Sequence, residues 1–447
     1  MRKLILVVVD GLPAHLFEQA LGDPRFPALT FLAEHGRVGR AVSTFPSLTP
    51  VCLSSLATGA HPDIHRIPHL VWYHRGERRI VEYGSSFGAV RAAGARQSIV
   101  DTVFEMNGSH LGREAVTVFE ALEGAGRITA AVNFTCYRGP RPHRATLPGV
   151  RRIARGPSRF FYFNLFESDV TGAPLAVRRR ARGTVDTYAA AVGRWLVTRD
   201  GFDFFVYYLS DFDYASHVTG PDGALPTLAR TDDAIATLFD AAGDADELLR
   251  RYDIVVCADH GQTRVGRAVT LERCFAGLPG VLVTASNRAG MAYLLPGCAL
   301  DASGLAERLD GEPSVDVSLF REGGVAVARR AGEELRFRPV SGDWETSGDR
   351  SLLGHPDALS RAWAALANPN AGELIVSAAE GFEFADLGGK HHLGGGSHGS
   401  LSEGDSLVPV LTVGFEADVS SITHVAPVVL RRFGVEPPAY ARLARAA

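Results

Sequence analysis

The chain has 447 residues, 46% hydrophobic and 21% charged, with a formal net charge of -4. This composition excludes a disordered or fibrous protein and can fill one large core or two medium ones. A weakly acidic molecule lacks the field that gathers polyanions, so no nucleic acid polymer is an expected partner and any phosphate chemistry must arise in a local site.

The start, "MRKLILVVVD", imitates a signal peptide, but Asp10 cuts the apolar run short and no small-residue cleavage site follows, so the run predicts a first β-strand. "FPALTFLAEHG" predicts a helix, with Pro27 near its start and Gly36 past its end. In "FPSLTPVCLSSLATG", Pro50 at the first helical position places Thr49 at the N-cap. The basic stretch Arg138 to Arg182, with "RGPRPHR" and "VRRRARG", reads as an excursion or a solvated basic face. "FDFFVYYLSD" (Phe202–Asp211) and "DIVVCADHG" (Asp253–Gly261) are apolar runs without alternation, the pattern of parallel strands buried on both faces, and "TLARTDDAIATLFDAAG" between them repeats apolar residues at helical spacing.

The texture changes near Arg264. "VDVSLFREGGVAVARRAGEELRFRP" predicts two or three antiparallel strands and "HPDALSRAWAALAN" a helix, before "LVPVLTVG" (Leu407–Gly414) resumes the core pattern. The expected fold is α/β, a mostly parallel central sheet flanked by helices, with an inserted α+β subdomain. The core occupies 1–263 and 371–447, and the insertion 264–370. No segment reaches eighteen apolar residues, so no membrane span is expected. Five scattered cysteines without a C-x-x-C pair suit a cytoplasmic protein with reduced thiols.

In open α/β sheets ligands bind beyond the carboxyl ends of the strands. Asp10 closes the first run, Asp213 follows the second with His217 four positions later, Asp259 and His260 close the third, and His398 sits in a glycine-rich loop before the fourth. A single strand-end aspartate is commonly a turn former or a cap. Three carboxylates and three imidazoles at the ends of four predicted parallel strands are another matter, since the fold gathers them at one edge. Oxygen and nitrogen donors without thiolate suit two Zn²⁺ ions, with Mn²⁺ or Fe²⁺ as alternatives. Two such ions about 3.5 to 4 Å apart serve in-line phosphoryl displacement. Thr49 then gains a role, because metal coordination favours the alkoxide of an otherwise feeble nucleophile, and an N-cap faces the anion-binding end of its helix. Without the metal ligands it would be a plain cap.

Together these residues resemble the alkaline phosphatase superfamily, and within it the nucleotide pyrophosphatase/phosphodiesterase branch. The branch carries a threonine followed nine residues later by Thr-Gly and then Pro-x-x-His, matched by Thr49, Thr58-Gly59 and "HPDIH". It also carries D-x-x-x-H-x-x-G-P, S/A-D-H-G and S/T-H-G, matched by Asp213 to Pro221, "ADHG" and "SHG". The resemblance implies that Asp10, Thr49, Asp259 and His260 surround one zinc while Asp213, His217 and His398 hold the other. It further implies that a phosphate diester, a small phosphorylated substrate, is cleaved through a phospho-threonine intermediate.

Departures from the branch bear on substrate choice. Pro50 has no N–H to steady a phosphate, so the Val51 amide would have to serve in its place. The branch's phosphate-binding asparagine is missing from "RIPHLVWYHR", where His69 is the nearest polar candidate, and the usual His-Gly is His65-Arg66. Arg66 and His69 are therefore candidates for anion binding, and Trp72, beside Tyr73, for stacking on a ring. His391 and His392 read as a solvated loop, and Asp405 as an orienter of His398 or a turn cap. The alternatives are a phosphonoacetate-hydrolase-like enzyme, a phosphomonoesterase, or a metal-containing binding protein without catalysis. The last is disfavoured because every expected position is filled.

Overall fold

The protein is described here from a computed structural model covering residues 2–146, 150–175 and 183–441. The chain first lays down β1 (Lys3–Val9), β2 (Gly36–Val42), β3 (Thr129–Val132), β4 (Arg159–Tyr162), β5 (Phe166–Ser168), β6 (Phe204–Leu209) and β7 (Tyr252–Cys257). A second group follows: β8 (Val281–Ser286), β9 (Ala289–Leu294), β10 (Val315–Glu322), β11 (Val325–Arg330), β12 (Glu333–Val340), β13 (Asp343–Gly348) and β14 (Leu374–Ala378). The chain then returns with β15 (Leu407–Val413).

The central sheet has eight strands in the order β2-β15-β7-β1-β6-β3-β4-β5. Its middle strands β7, β1, β6 and β3 are mutually parallel and carry apolar residues at nearly every position, because helices cover both faces. Those helices include α1 (Pro27–Glu34), α2 (Thr49–Thr58), α3 (Val185–Arg199), α4 (Asp211–Thr219) and α5 (Leu225–Ala242). Asp232 on α5 accepts the Ala28 and Leu29 N–H groups at 3.0 and 2.7 Å, capping α1 from a neighbouring element.

The fourth of the predicted parallel strands runs the other way. β15 is antiparallel to both β7 and β2, pairing Val410 with Cys257 and Val413 with Ile254. The chain re-enters the core at the carboxyl edge of β7 and goes straight into the sheet, whereas a parallel strand would need a crossover to the opposite edge. His398 consequently precedes its strand yet reaches the same edge as residues that follow theirs.

The second sheet has seven strands in the order β8-β9-β14-β10-β11-β12-β13. β10 to β13 are antiparallel, as the sequence predicts for the first three. β14 lies between β9 and β10 with all five of its residues buried, so the expected boundary at 370 falls too early. β14 completes the second sheet. Residues of both sheets, among them Leu6, Tyr293 and Phe337, belong to one continuous apolar core, and a smaller cluster with Leu271, Phe320 and Leu374 backs the second sheet.

Part of the basic stretch forms an antiparallel pair, Arg141–Arg144 with Ile153–Gly156, while its arginine run at 178–182 lies outside the described residues. Among the described residues no helix is long and apolar enough to cross a membrane.

Candidate active site

Register brings the strand ends together. Val9 lies opposite Leu209 and Val8 opposite Cys257, so continuing the register sets Asp10 level with Ser210 on one side and Asp259 on the other. Gly11 then turns with φ 71°, its N–H donating to Asp259 Oδ1 at 3.2 Å. A Cβ there would lie 2.7 Å from Asp213 Oδ1, so glycine is what lets the turn pass among the carboxylates.

Asp213 and His217 stand four residues apart on one face of α4. That helix is fixed by a reciprocal exchange: Asp186 accepts the Ser210 and Asp211 N–H groups at 2.8 and 3.1 Å, while Asp211 accepts those of Val185 and Asp186 at 3.1 and 3.2 Å. The glycine-rich loop before β15 lies against α4, Gly395 meeting the His217 carbonyl so closely that no side chain would fit.

Thr49 is the first residue of α2 and the extended Leu48 is the cap, one position earlier than the sequence predicts. Its Oγ lies 3.0 Å from His260 Nε2. That nitrogen is 3.4 Å from Asp10 Oδ1 and 3.5 Å from Asp259 Oδ2. His217 Nε2 is 3.4 Å from Asp213 Oδ2, and His398 Nε2 is 3.9 Å from Asp213 Oδ1. Two sets of donor atoms, Asp10/Asp259/His260 and Asp213/His260/His398, each fall within 4.8 Å of one another. The fold thus gathers Asp10, Thr49, Asp213, His217, Asp259, His260 and His398 in one place. Asp10, Thr49, Asp213, His217 and His398 line a cavity of about 950 Å³.

The donor set fits divalent cations. In each imidazole Nδ1 faces a backbone carbonyl, of Gly396 for His217 (2.8 Å), Gly261 for His260 (3.1 Å) and Ser47 for His398 (2.8 Å), so each Nε2 presents its lone pair. Asp10 Oδ1 and Asp259 Oδ2 are buried without a hydrogen-bond partner. Burial, and for Asp10 the neighbouring charges of Asp259 and Asp213, pushes both carboxyls above their usual range. Burial also acts to raise Asp213, but His217, His398 and His260 hold it below the ordinary value. Burial and the adjacent His260 push His398 well below an ordinary imidazole. Unpaired buried carboxylates are costly unless a cation satisfies them.

Three sequence candidates lie elsewhere. Arg66 sits at a left-handed turn with φ 66° and reaches out to Glu114 at 3.0 Å. His69 is fully buried, Nε2 on the Ala289 carbonyl at 3.2 Å and Nδ1 accepting the Val71 N–H at 3.1 Å. Burial pushes its pKa down to about 4. Trp72 is buried with its ring edge-on to His110, 5.3 Å away. None of the three lines the cavity, although Leu70 between His69 and Trp72 does. The Val51 N–H does not replace the one missing at Pro50, for it donates to the Leu48 carbonyl at 2.9 Å.

Other residues escaped the sequence reading. Tyr208, whose strand lies beside β1, donates to Asp10, and Gln262 donates to Asp213. His392 is no solvated residue: Glu383 holds its Nδ1 at 2.6 Å and its ring stacks on His217 at 4.0 Å, while His391 is exposed. Asp405 binds Arg288 at 2.8 Å rather than His398. Asn287, in the turn between β8 and β9, lines the cavity with its amide nitrogen 2.8 Å from His398 Nε2. Phe87, Tyr214, Val218 and Leu393 form an exposed apolar rim, and among the described residues Lys390 is the one lysine or arginine of the lining.

Comparison with known proteins places the chain in a family. The sequence profile of the type I phosphodiesterase / nucleotide pyrophosphatase family matches residues 4–401. The chain belongs to that family. Membership in the type I phosphodiesterase / nucleotide pyrophosphatase family, within the alkaline phosphatase superfamily, makes it a phosphoric ester hydrolase. A search of curated proteins gave no match.

Among solved structures, murine ectonucleotide pyrophosphatase / phosphodiesterase 5 superposes with a TM-score of 0.63 at 14% identity, covering 98% of this chain and 96% of that one. The human protein of the same name gives 0.63 at 14%, covering 97% and 95%. Phosphonoacetate hydrolase from Sinorhizobium meliloti 1021, in complex with phosphonoformate, gives 0.62 at 19%, covering 96% and 95%. At these identities the likeness carries the fold.

Proposed function

We propose that the protein hydrolyses phosphate diesters with Thr49 as nucleophile and two zinc ions as cofactors. The observation that carries this reading is the convergence of Thr49 with three carboxylates and three imidazoles whose Nδ1 atoms all meet backbone carbonyls, which leaves Nε2 of each as the ligand atom. Asp10, Thr49, Asp259 and His260 would hold one ion and Asp213, His217 and His398 the other. Bound there, the cations lower the cost of the threonine alkoxide and of charge building on the phosphoryl oxygens.

The Thr49 Oγ–P bond forms as the P–O bond to the leaving alcohol breaks, and that alcohol departs with the proton Thr49 gave up. Water then attacks phosphorus, the Oγ–P bond breaks, and the monoester leaves with the Thr49 hydroxyl restored. A murine neighbour crystallised with AMP as an inactive threonine-to-alanine variant supports a threonine in this role. The apolar rim suits a leaving group with an apolar body. Five unpaired cysteines suit a reducing compartment such as the cytoplasm.

Phosphonoacetate hydrolysis is the second reading, favoured by Lys390 as a cation for a carboxylate and by the Sinorhizobium meliloti neighbour. Assaying the zinc-loaded protein on bis(p-nitrophenyl) phosphate, p-nitrophenyl phosphate and phosphonoacetate separates the readings, and the diester is expected to turn over fastest. Rapid quenching should trap an adduct on the peptide carrying Thr49. Its absence together with undiminished turnover by Thr49→Ala would exclude the covalent route.

A further inference from the structure

Charge that builds on a phosphoryl oxygen calls for N–H donors aimed at it. The start of α2 is poor in them: Pro50 has no N–H, and that of Val51 is spent on Leu48. We propose that Asn287, presented by the turn between β8 and β9, is the side-chain donor that holds a non-bridging phosphoryl oxygen of the substrate. The proposal rests on the two-cation reading.

The turn is built for placement. Asn287 adopts φ 57°, a left-handed conformation that asparagine tolerates better than most residues. Its carbonyl accepts the Phe384 N–H at 2.7 Å, and the Arg288 N–H donates to the His398 carbonyl at 2.8 Å. The fully buried Arg288 guanidinium bonds Asp405 at 2.8 Å and the carbonyls of Phe382 and Ala379 at 3.1 Å each. From the other side His69 Nε2 meets the Ala289 carbonyl at 3.2 Å. His69 therefore braces the turn that carries the donor.

The amide itself is poised for exchange. Its Oδ1 accepts the Ser286 hydroxyl at 3.2 Å, which directs Nδ2 toward His398. His398 Nδ1 donates to Ser47, so Nε2 carries a single lone pair, the one Asn287 now occupies at 2.8 Å. A cation held by His398 takes that same lone pair. The Asn287 N–H then loses its partner while 6% exposed in the cavity wall, and a substrate oxyanion supplies a replacement acceptor.

Asn287→Gly removes the donor without straining the left-handed turn, and Asn287→Asp keeps the shape but exchanges donor for acceptor. Each variant is compared with wild type for metal content by elemental analysis, for kcat and KM on bis(p-nitrophenyl) phosphate, and for inhibition by orthovanadate. The expected result for Asn287→Gly is an unchanged metal content, a kcat lowered about 100-fold, a nearly constant KM, and vanadate inhibition weakened about as much as kcat. Asn287→Asp should be at least as impaired. Wild-type kcat and vanadate affinity in both variants would overturn the proposal, and so would metal lost in step with activity, which would make Asn287 a positioning residue for His398. Wild-type protein inert toward diester, monoester and phosphonoacetate would instead overturn the phosphoryl-transfer reading beneath it.

Discussion

The carboxyl edge of the central sheet and the turn between β8 and β9 both supply the cavity, but by different routes. At the edge, parallel strands in register deliver Asp10, Asp213, Asp259 and His260 within a few residues of an apolar run. The second sheet delivers Asn287 through a tight turn clamped by Arg288. The proposed cation ligands follow from topology, whereas the groups beside them follow from how a second layer packs on the first.

Removing the cations attacks the edge most directly. Dialysis against a chelator should abolish hydrolysis and added Zn²⁺ should restore it, with turnover as the readout. Full activity in metal-free protein would mean that the edge is only structural. Thr49→Ala should lower kcat roughly 10⁴-fold or more, the scale at which loss of a nucleophile is felt. Thr49→Ser should retain part of the activity.

A smaller effect is expected one step behind the edge. Asp186→Ala leaves the Ser210 and Asp211 N–H groups without their acceptor and should cost about 1–3 kcal/mol in urea unfolding, with weaker zinc binding because α4 carries Asp213 and His217. The smallest effect is expected at Arg66, exposed and with its side chain paired to Glu114 at the surface. Arg66→Ala should change kcat/KM by less than about twofold and stability by about 0.5 kcal/mol at most. A larger kinetic loss would show that the cavity extends past its present lining.

This contrast explains what the sequence could disclose. Runs such as "LILVVVD" and "DIVVCADHG" announce a buried strand and the residue that closes it, so the ligand edge is readable locally. The direction of β15 is not, because an apolar run looks the same whichever way it enters a sheet. Asn287 gives no local signal: "ASNRAG" becomes a site residue only when the second sheet folds against the first. Arg66, His69 and Trp72 follow Pro-x-x-His closely along the chain, but there Leu70 lines the cavity while His69 and Trp72 are buried elsewhere and Arg66 reaches Glu114.

That main-chain carbonyls, not acidic side chains, orient all three imidazoles has a bearing on evolution. No single side-chain replacement outside the cavity can remove those acceptors, so the aim of the rings is inherited with the path of the backbone. The apolar mouth can meanwhile drift toward new leaving groups without disturbing the ions.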